Sequence, residues 1–220
     1  MRFSMQVRQD YLAADLVGRE SAEDMRRFAA AVRARCRRHQ LHKVLMSIRL
    51  SRALFKAEDY GIPGYAGVLA TPACQVALVG DTLELNAAHE YIEVMARQEN
   101  LNVRAFADES AAARWLSGGA ESPQRYRFSR TVVLGAPQAA GVYTLWDGEE
   151  LVYYGRAMGG GATIRSRLLD HHSGTLHAAT QGATHYSWEV CADPAAREAE
   201  LLREYERAHG RLPRFNAASG

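Results

Sequence analysis

The chain has 220 residues, 47% hydrophobic and 24% charged: apolar enough to bury a core, and longer than the ~100–150 of a typical single domain. Lysine and arginine number 27 against 25 acids, a balance that excludes a protein coating nucleic acid nonspecifically but not a local basic groove. Three scattered cysteines, Cys36, Cys74 and Cys191, form no C-x-x-C pair, which argues against a disulfide framework or a zinc ribbon. The N-terminal MRFSMQVRQDYL has no basic-then-apolar leader, and no apolar run approaches ~18 residues. A cytoplasmic protein with no membrane partner is expected.

Two strands, Phe3–Arg8 and Tyr11–Val17, open the chain as a hairpin pair. Ser21 and the acids Glu23 and Asp24 then cap a helix running to about His39. Arg33, Arg35, Arg37, Arg38 and Lys43 crowd its C-terminal end, where cations suit the helix dipole; they read either as a solvated helix end or as a phosphate contact. Val44–Ile48 and Ala73–Val79 are apolar strands, the second followed by a helix near Leu85–Gln98. Asn102–Ala107 is a last strand, and Asp108 caps a short helix ending at Trp115-Leu116. This alternation predicts a sheet with helices packed against it. Small, polar residues with Gly and Pro at 117–125 mark a linker between two domains, 1–116 and 126–220.

With QVALVGD (75–81) and NVRAFADESAAARWL (102–116), the first half resembles the STAS-like (SpoIIAA-like) family. The resemblance implies a sheet with flanking helices and a role in binding a protein partner or in self-association. STAS phosphorylation switches carry D-S-[ST]-G after a central strand, whereas the matching stretch here is Ser47-Ile48-Arg49-Leu50-Ser51-Arg52. Ser51 is either a diverged acceptor or an ordinary loop serine.

In the second half, Gly141–Trp146 and Leu151–Gly155 flank Asp147-Gly148-Glu149-Glu150, a hairpin turn signal. A three-residue loop, 147–149, sets Tyr143 directly opposite Tyr153, whereas a two-residue loop sends them to different faces. After Arg156 and a Gly-rich stretch, Thr163 caps a helix from Ile164 to His171, with Arg167 and His171 one turn apart. The Gly-rich turn into a helix suits a phosphate, but the Walker pattern is missing. His185–Cys191 is the third strand, and Asp193-Pro194 starts a helix ending before Gly210. On that helix Ala195, Ala199, Leu202 and Tyr205 form the inward stripe, and Glu198 sits inside it. A carboxylate there is costly unless metal-bound or paired, with Arg167 the candidate partner.

These elements, in this order, resemble the GIY-YIG nuclease family over roughly residues 126–220. Gly141-Val142-Tyr143 stands as the first motif and Tyr153-Tyr154-Gly155 as the second. Arg167 matches the family's helix arginine, Glu198 in E-x-x-L-L-x-x-Y its metal-binding glutamate, and Asn216 in LPRFN its closing asparagine. The chain departs from the pattern in Tyr154 where Ile is common, in Arg156 where Lys is frequent, and in longer segments at 155–167 and 205–216. The fold class expected overall is α/β (α+β), with a small antiparallel three-stranded sheet flanked by helices in the second half.

The resemblance implies a metal-dependent endonuclease with Tyr143, Tyr153, Arg167 and Glu198 catalytic, and Arg156, His171 and Asn216 contacting substrate. Glu198 would hold Mg²⁺ or Mn²⁺ with one hard oxygen, and Arg167 would neutralise the phosphoryl oxygens. Either tyrosine serves as base if Arg156, Arg167 and the metal lower its pKa from ~10; His171 is the competing base, and Asn216 either positions phosphate or braces the site. DNA is favoured over RNA as partner. The alternative is a non-catalytic nucleic-acid-binding or protein-interaction regulatory protein. A zinc site among His171, His172, His177, His185 and Cys191 lacks ligand spacing, and Tyr126, Phe128, Trp146, Tyr186 and Trp188 are read as core before base-stacking.

Overall fold

The computed structural model describes residues 1–53, 74–119 and 124–217. The chain divides into two compact units, Met1–Ser122 and Pro123–Gly220. The α+β class is borne out: a five-stranded mixed sheet and a four-stranded antiparallel sheet, with six α-helices among the described residues. Ala73 and the linker residues 120–123 lie outside the described residues.

In the first unit β1 (Arg2–Val7) runs antiparallel to β2 (Leu12–Val17). Strands β3 (Lys43–Arg49), β4 (Gln75–Gly80) and β5 (Asn102–Phe106) follow in parallel, giving the order β1-β2-β3-β4-β5. Parallel strands need crossovers, which puts helices on the sheet faces. Helices α1 (Ala22–His39) and α2 (Leu83–Gln98) cover one face, where Met25, Phe28 and Ile92 meet Leu16, Met46 and Leu78. The alternate strand residues Leu45, Ala77 and Val79 turn to α3 (Glu109–Leu116) and meet Trp115, as period-2 alternation requires. Each helix starts where a side-chain oxygen caps it: Ser21, Thr82 and Asp108 accept the backbone N–H of Asp24, Leu85 and Ala111. The Ser51 hydroxyl accepts from the Arg19 N–H and donates to the Arg49 carbonyl, so it closes a loop.

The second unit contains β6 (Tyr126–Arg127), α4 (Arg130–Val133), β7 (Gly141–Asp147), β8 (Glu150–Ala157), α5 (Ile164–Ser173), a 3₁₀ turn (Ala178–Gly182), β9 (His185–Val190) and α6 (Pro194–His209). Its sheet order is β6-β9-β7-β8. The expected three strands gain a fourth because Tyr126 and Arg127 pair with Tyr186 and His185. Tyr126, Phe128, Tyr186 and Trp188 are buried, which makes them core. Arg125 instead stacks on Trp146, 3.6 Å from its ring centre.

The hairpin corrects the expected loop. Asp147 pairs with Glu150 and Trp146 with Leu151, leaving a two-residue loop, Gly148-Glu149. Leu145 then pairs with Tyr153, so Val152 is an extra residue, a β-bulge. The bulge shifts the register by one and returns Tyr153 to the face of Tyr143, with Gly155 rather than Tyr153 directly opposite Tyr143. The shared face was the right expectation, reached through the wrong loop.

Candidate active site

The two motif glycines are spatial necessities. A methyl at Gly155 would overlap the phenol ring of Tyr143, and one at Gly141 would run into the Glu189 carbonyl and the Ile164 side chain. Gly141 thus lets β7 lie close to β9 and α5, while Gly155 leaves the space that Tyr143 occupies. Tyr143 is buried at 1% exposure and its ring centre lies 6.3 Å from that of Tyr153, which is half-buried.

Helix α5 begins at Thr163, whose hydroxyl accepts the Ser166 N–H while the Ser166 hydroxyl accepts the Thr163 N–H, a reciprocal cap. The inward side chains Ile164, Leu168 and His171 follow at helical spacing and are all fully buried. His171 Nε2 lies 2.9 Å from the Tyr143 hydroxyl, and its Nδ1 lies 2.7 Å from Thr180 Oγ1. Both ring nitrogens are occupied and no part of the ring reaches solvent, so His171 cannot meet a substrate directly; it supports Tyr143. Burial, with the charges of His177 and Arg167, lowers its pKa to about 4, so the ring is neutral at pH 7.

Helix α6 is capped by Asp193, starts with Pro194 and ends at left-handed Gly210. Its inward line is Pro194, Glu198, Leu201 and Tyr205, and Ala199 is exposed. Of the expected stripe, Tyr205 is buried and Ala195 and Leu202 are partly buried, so Ala199 alone was misplaced, and Glu198 sits within the stripe at 15% side-chain exposure. Its Oε2 pairs with Arg156 Nη1 at 2.7 Å. The partner is therefore Arg156 and not Arg167, which faces Asp170 at 3.9 Å. Burial raises the Glu198 pKa, and Arg156 pulls against it.

Both phenols move opposite to expectation. Burial is the largest cause in each, and it raises the Tyr143 and Tyr153 pKa values. The Glu198 charge adds to the rise, while Arg167, and for Tyr153 also Arg156, oppose it without prevailing. The cations act in the expected direction; desolvation outweighs them.

Asn216 braces the site through the backbone of β8. Its Oδ1 accepts the Tyr154 N–H and its Nδ2 donates to the Tyr154 carbonyl, both at 2.8 Å. The Phe215 N–H donates to the carbonyl of the bulged Val152. The tail 213–216 thereby covers the outer edge of β8, holding the strand that carries Tyr153. Tyr143, Tyr153, Arg156, Arg167, His171 and Glu198 are brought together; Asn216 braces from outside.

The residue that sequence reasoning missed is Thr180, which has no motif around it. His177 was weighed only as a zinc ligand; its ring packs 6.3 Å from Tyr153 and 5.9 Å from Phe215. Among the described residues no three His, Cys, Asp or Glu side chains group to hold a metal, so a zinc cage is not formed there. One carboxylate, Glu198, whose Arg156 pair uses Oε2 and leaves Oε1 for a cation, does suit Mg²⁺ or Mn²⁺, whose shell is mostly water and phosphate oxygen. Among the described residues no helix is long and apolar enough to cross a membrane. No family model, curated protein or solved structure matches the chain.

Proposed function

We propose that the second unit is a metal-dependent endonuclease of the GIY-YIG type, hydrolysing phosphodiester bonds of nucleic acid, with DNA favoured, and that the STAS-like first unit is an interaction or regulatory module. The observation that carries this reading is the convergence of Tyr143, Tyr153, Arg156, Arg167 and Glu198 on one site, with both motif glycines required by the packing around it.

Glu198 would hold the cation through its carboxylate, and Arg156, bonded to Oε2, orients that carboxylate and opposes the burial that favours its neutral form. The bound cation supplies charge neutralisation at the phosphate and a more acidic water. Arg167, partly exposed on α5, faces the phosphoryl oxygens and offsets charge that grows in the transition state. Tyr153, more accessible than Tyr143, takes the water's proton, its phenolate favoured by Arg156 and Arg167 against burial and the Glu198 charge. Tyr143 is buried against His171 and positions Tyr153. Asn216 fixes the β8 backbone beside it.

The test is incubation of the full chain with Mg²⁺ or Mn²⁺ and duplex, branched and single-stranded DNA and RNA. Cleavage that disappears in Arg167→Ala, with unchanged melting, supports the reading. Binding without cleavage of any of these substrates overturns it in favour of a non-catalytic binder.

A further inference from the structure

We infer that Thr180 is a positioning residue that sets the tautomer of His171 and, through it, the direction of the Tyr143 hydroxyl. The inference builds on the proposed nuclease site, but its evidence is a chain of hydrogen bonds fully inside the protein. Thr180 is 0% exposed, His171 0% and Tyr143 1%, so water does not complete these bonds.

The chain is decided from its far end. The His177 carbonyl lies 2.7 Å from Thr180 Oγ1. A carbonyl only accepts, so the single hydroxyl proton of Thr180 points at it. Thr180 Oγ1 therefore has only lone pairs for His171 Nδ1, 2.7 Å away. The Nδ1 atom must carry the proton. Since the ring is neutral, Nε2 is left with a lone pair, and the Tyr143 hydroxyl at 2.9 Å donates to it.

The polarity of the site follows. With its single proton spent on His171, the Tyr143 hydroxyl has only lone pairs left for any other partner. With the opposite tautomer, Nε2–H would donate to Tyr143, and the Tyr143 hydroxyl would become a donor competing within the site. Thr180 comes from a 3₁₀ turn, Ala178–Gly182, with its own N–H bonded to the same His177 carbonyl. The backbone thus holds the acceptor, and the choice of tautomer does not depend on any charged group.

The test uses the full chain, labelled with ¹⁵N at histidine, as wild type, Thr180→Ser and Thr180→Val. Two-bond ¹H–¹⁵N spectra of the His171 ring should show a protonated Nδ1 and a bare Nε2 in wild type and Thr180→Ser. Thr180→Val should lose that preference and, in cleavage, lose about 10- to 100-fold in kcat with KM unchanged, while Thr180→Ser restores it. A protonated Nε2 in wild type, or an unchanged tautomer in Thr180→Val, overturns the inference. If Thr180→Val does not fold, the wild-type spectrum still decides it. If wild type cleaves nothing, the nuclease reading fails, and the ring spectra judge Thr180 independently.

Discussion

Gly155→Ala is the most informative small change in the second unit. Gly155 lies in β8 directly opposite Tyr143, and its backbone is in no left-handed conformation. On backbone grounds alone, alanine in a strand should stabilise by about 0.5–1 kcal/mol relative to glycine. The new methyl, however, would overlap the buried Tyr143 ring near its hydroxyl end. Overpacking of that kind costs about 1–3 kcal/mol. It also displaces the phenol from His171. In a Tyr143→Leu background the obstructing atoms are gone, so the same Gly155→Ala change should become neutral or stabilising. The backbone gain cancels in the comparison, so the coupling between the two sites is the overpacking cost itself, about 1–3 kcal/mol. Urea unfolding of the four proteins, followed through Trp146 and Trp188, measures it. If Gly155→Ala is harmless beside Tyr143, or equally costly in the Tyr143→Leu background, the steric reasoning is refuted.

Four further outcomes are expected. Asn216→Ala removes two hydrogen bonds to the Tyr154 backbone and should cost about 1–2 kcal/mol, lowering the melting point of the second unit by about 5–15 °C in calorimetry. His171, lowered to about 4, refuses a proton that the unfolded chain accepts below ~6.5; the second unit should therefore lose stability as pH falls from 6.5 to 4, by up to about 1.4 kcal/mol per pH unit, and His171→Gln should flatten that slope. In the first unit His89, lowered to about 3 by burial, acts in the same sense, whereas Glu93, raised to about 7 by burial, loses stability as pH rises above ~4.5, so the two oppose between pH 4.5 and 6.5 and denaturation there should vary less. With Tyr153 as base, its hydroxyl held above the ordinary range, the cleavage rate should climb about tenfold per pH unit from 6.5 to 9; a rate independent of pH in that window would contradict Tyr153 as the base.

Much of this was legible in the sequence, for physical reasons that differ by element. The helices of the first unit begin at Ser21 and Asp108 because a side-chain oxygen three residues ahead of an orphan N–H is a local signal. The face shared by Tyr143 and Tyr153 was legible because strand parity is local as well. The bulge at Val152 was not, since a two-residue turn plus one extra residue has the same parity as a three-residue turn. Strand β6 has two residues, too short for any period to register. Helical periodicity bounds the buried stripe only to about one position, which is why Ala199 was placed inside and is exposed. The Arg156–Glu198 pair, the rise of the phenol pKa values and the role of Thr180 depend on how distant segments meet, with separations of 42 residues for the ion pair and 9 for the His171 bond. Burial is a property of the assembled unit, so the cations near Tyr153 were visible in the sequence while the desolvation that outweighs them was not.

The formal charge also bears on the proposed site. Residues 121–220 carry 11 basic and 11 acidic side chains, so grip on a phosphate backbone depends on placement, and Arg211 and Arg214 near Asn216 are already paired with Glu150 and Asp147. Arginines held by acids displace fewer counterions from a nucleic acid. The site suits local chemistry on a phosphate more than extended electrostatic binding.

The central claim rests on Glu198, and one comparison addresses it most directly: single-turnover cleavage of DNA by wild type and Glu198→Gln, each with saturating Mg²⁺ or Mn²⁺ and each shown to melt cooperatively. Glutamine keeps the size and one oxygen but loses the charge that holds the cation and pairs with Arg156. Metal-dependent cutting by wild type and a loss of at least about 100-fold in Glu198→Gln is the expected result. Equal rates in the two proteins, or cutting by wild type that persists in excess EDTA, would contradict the account.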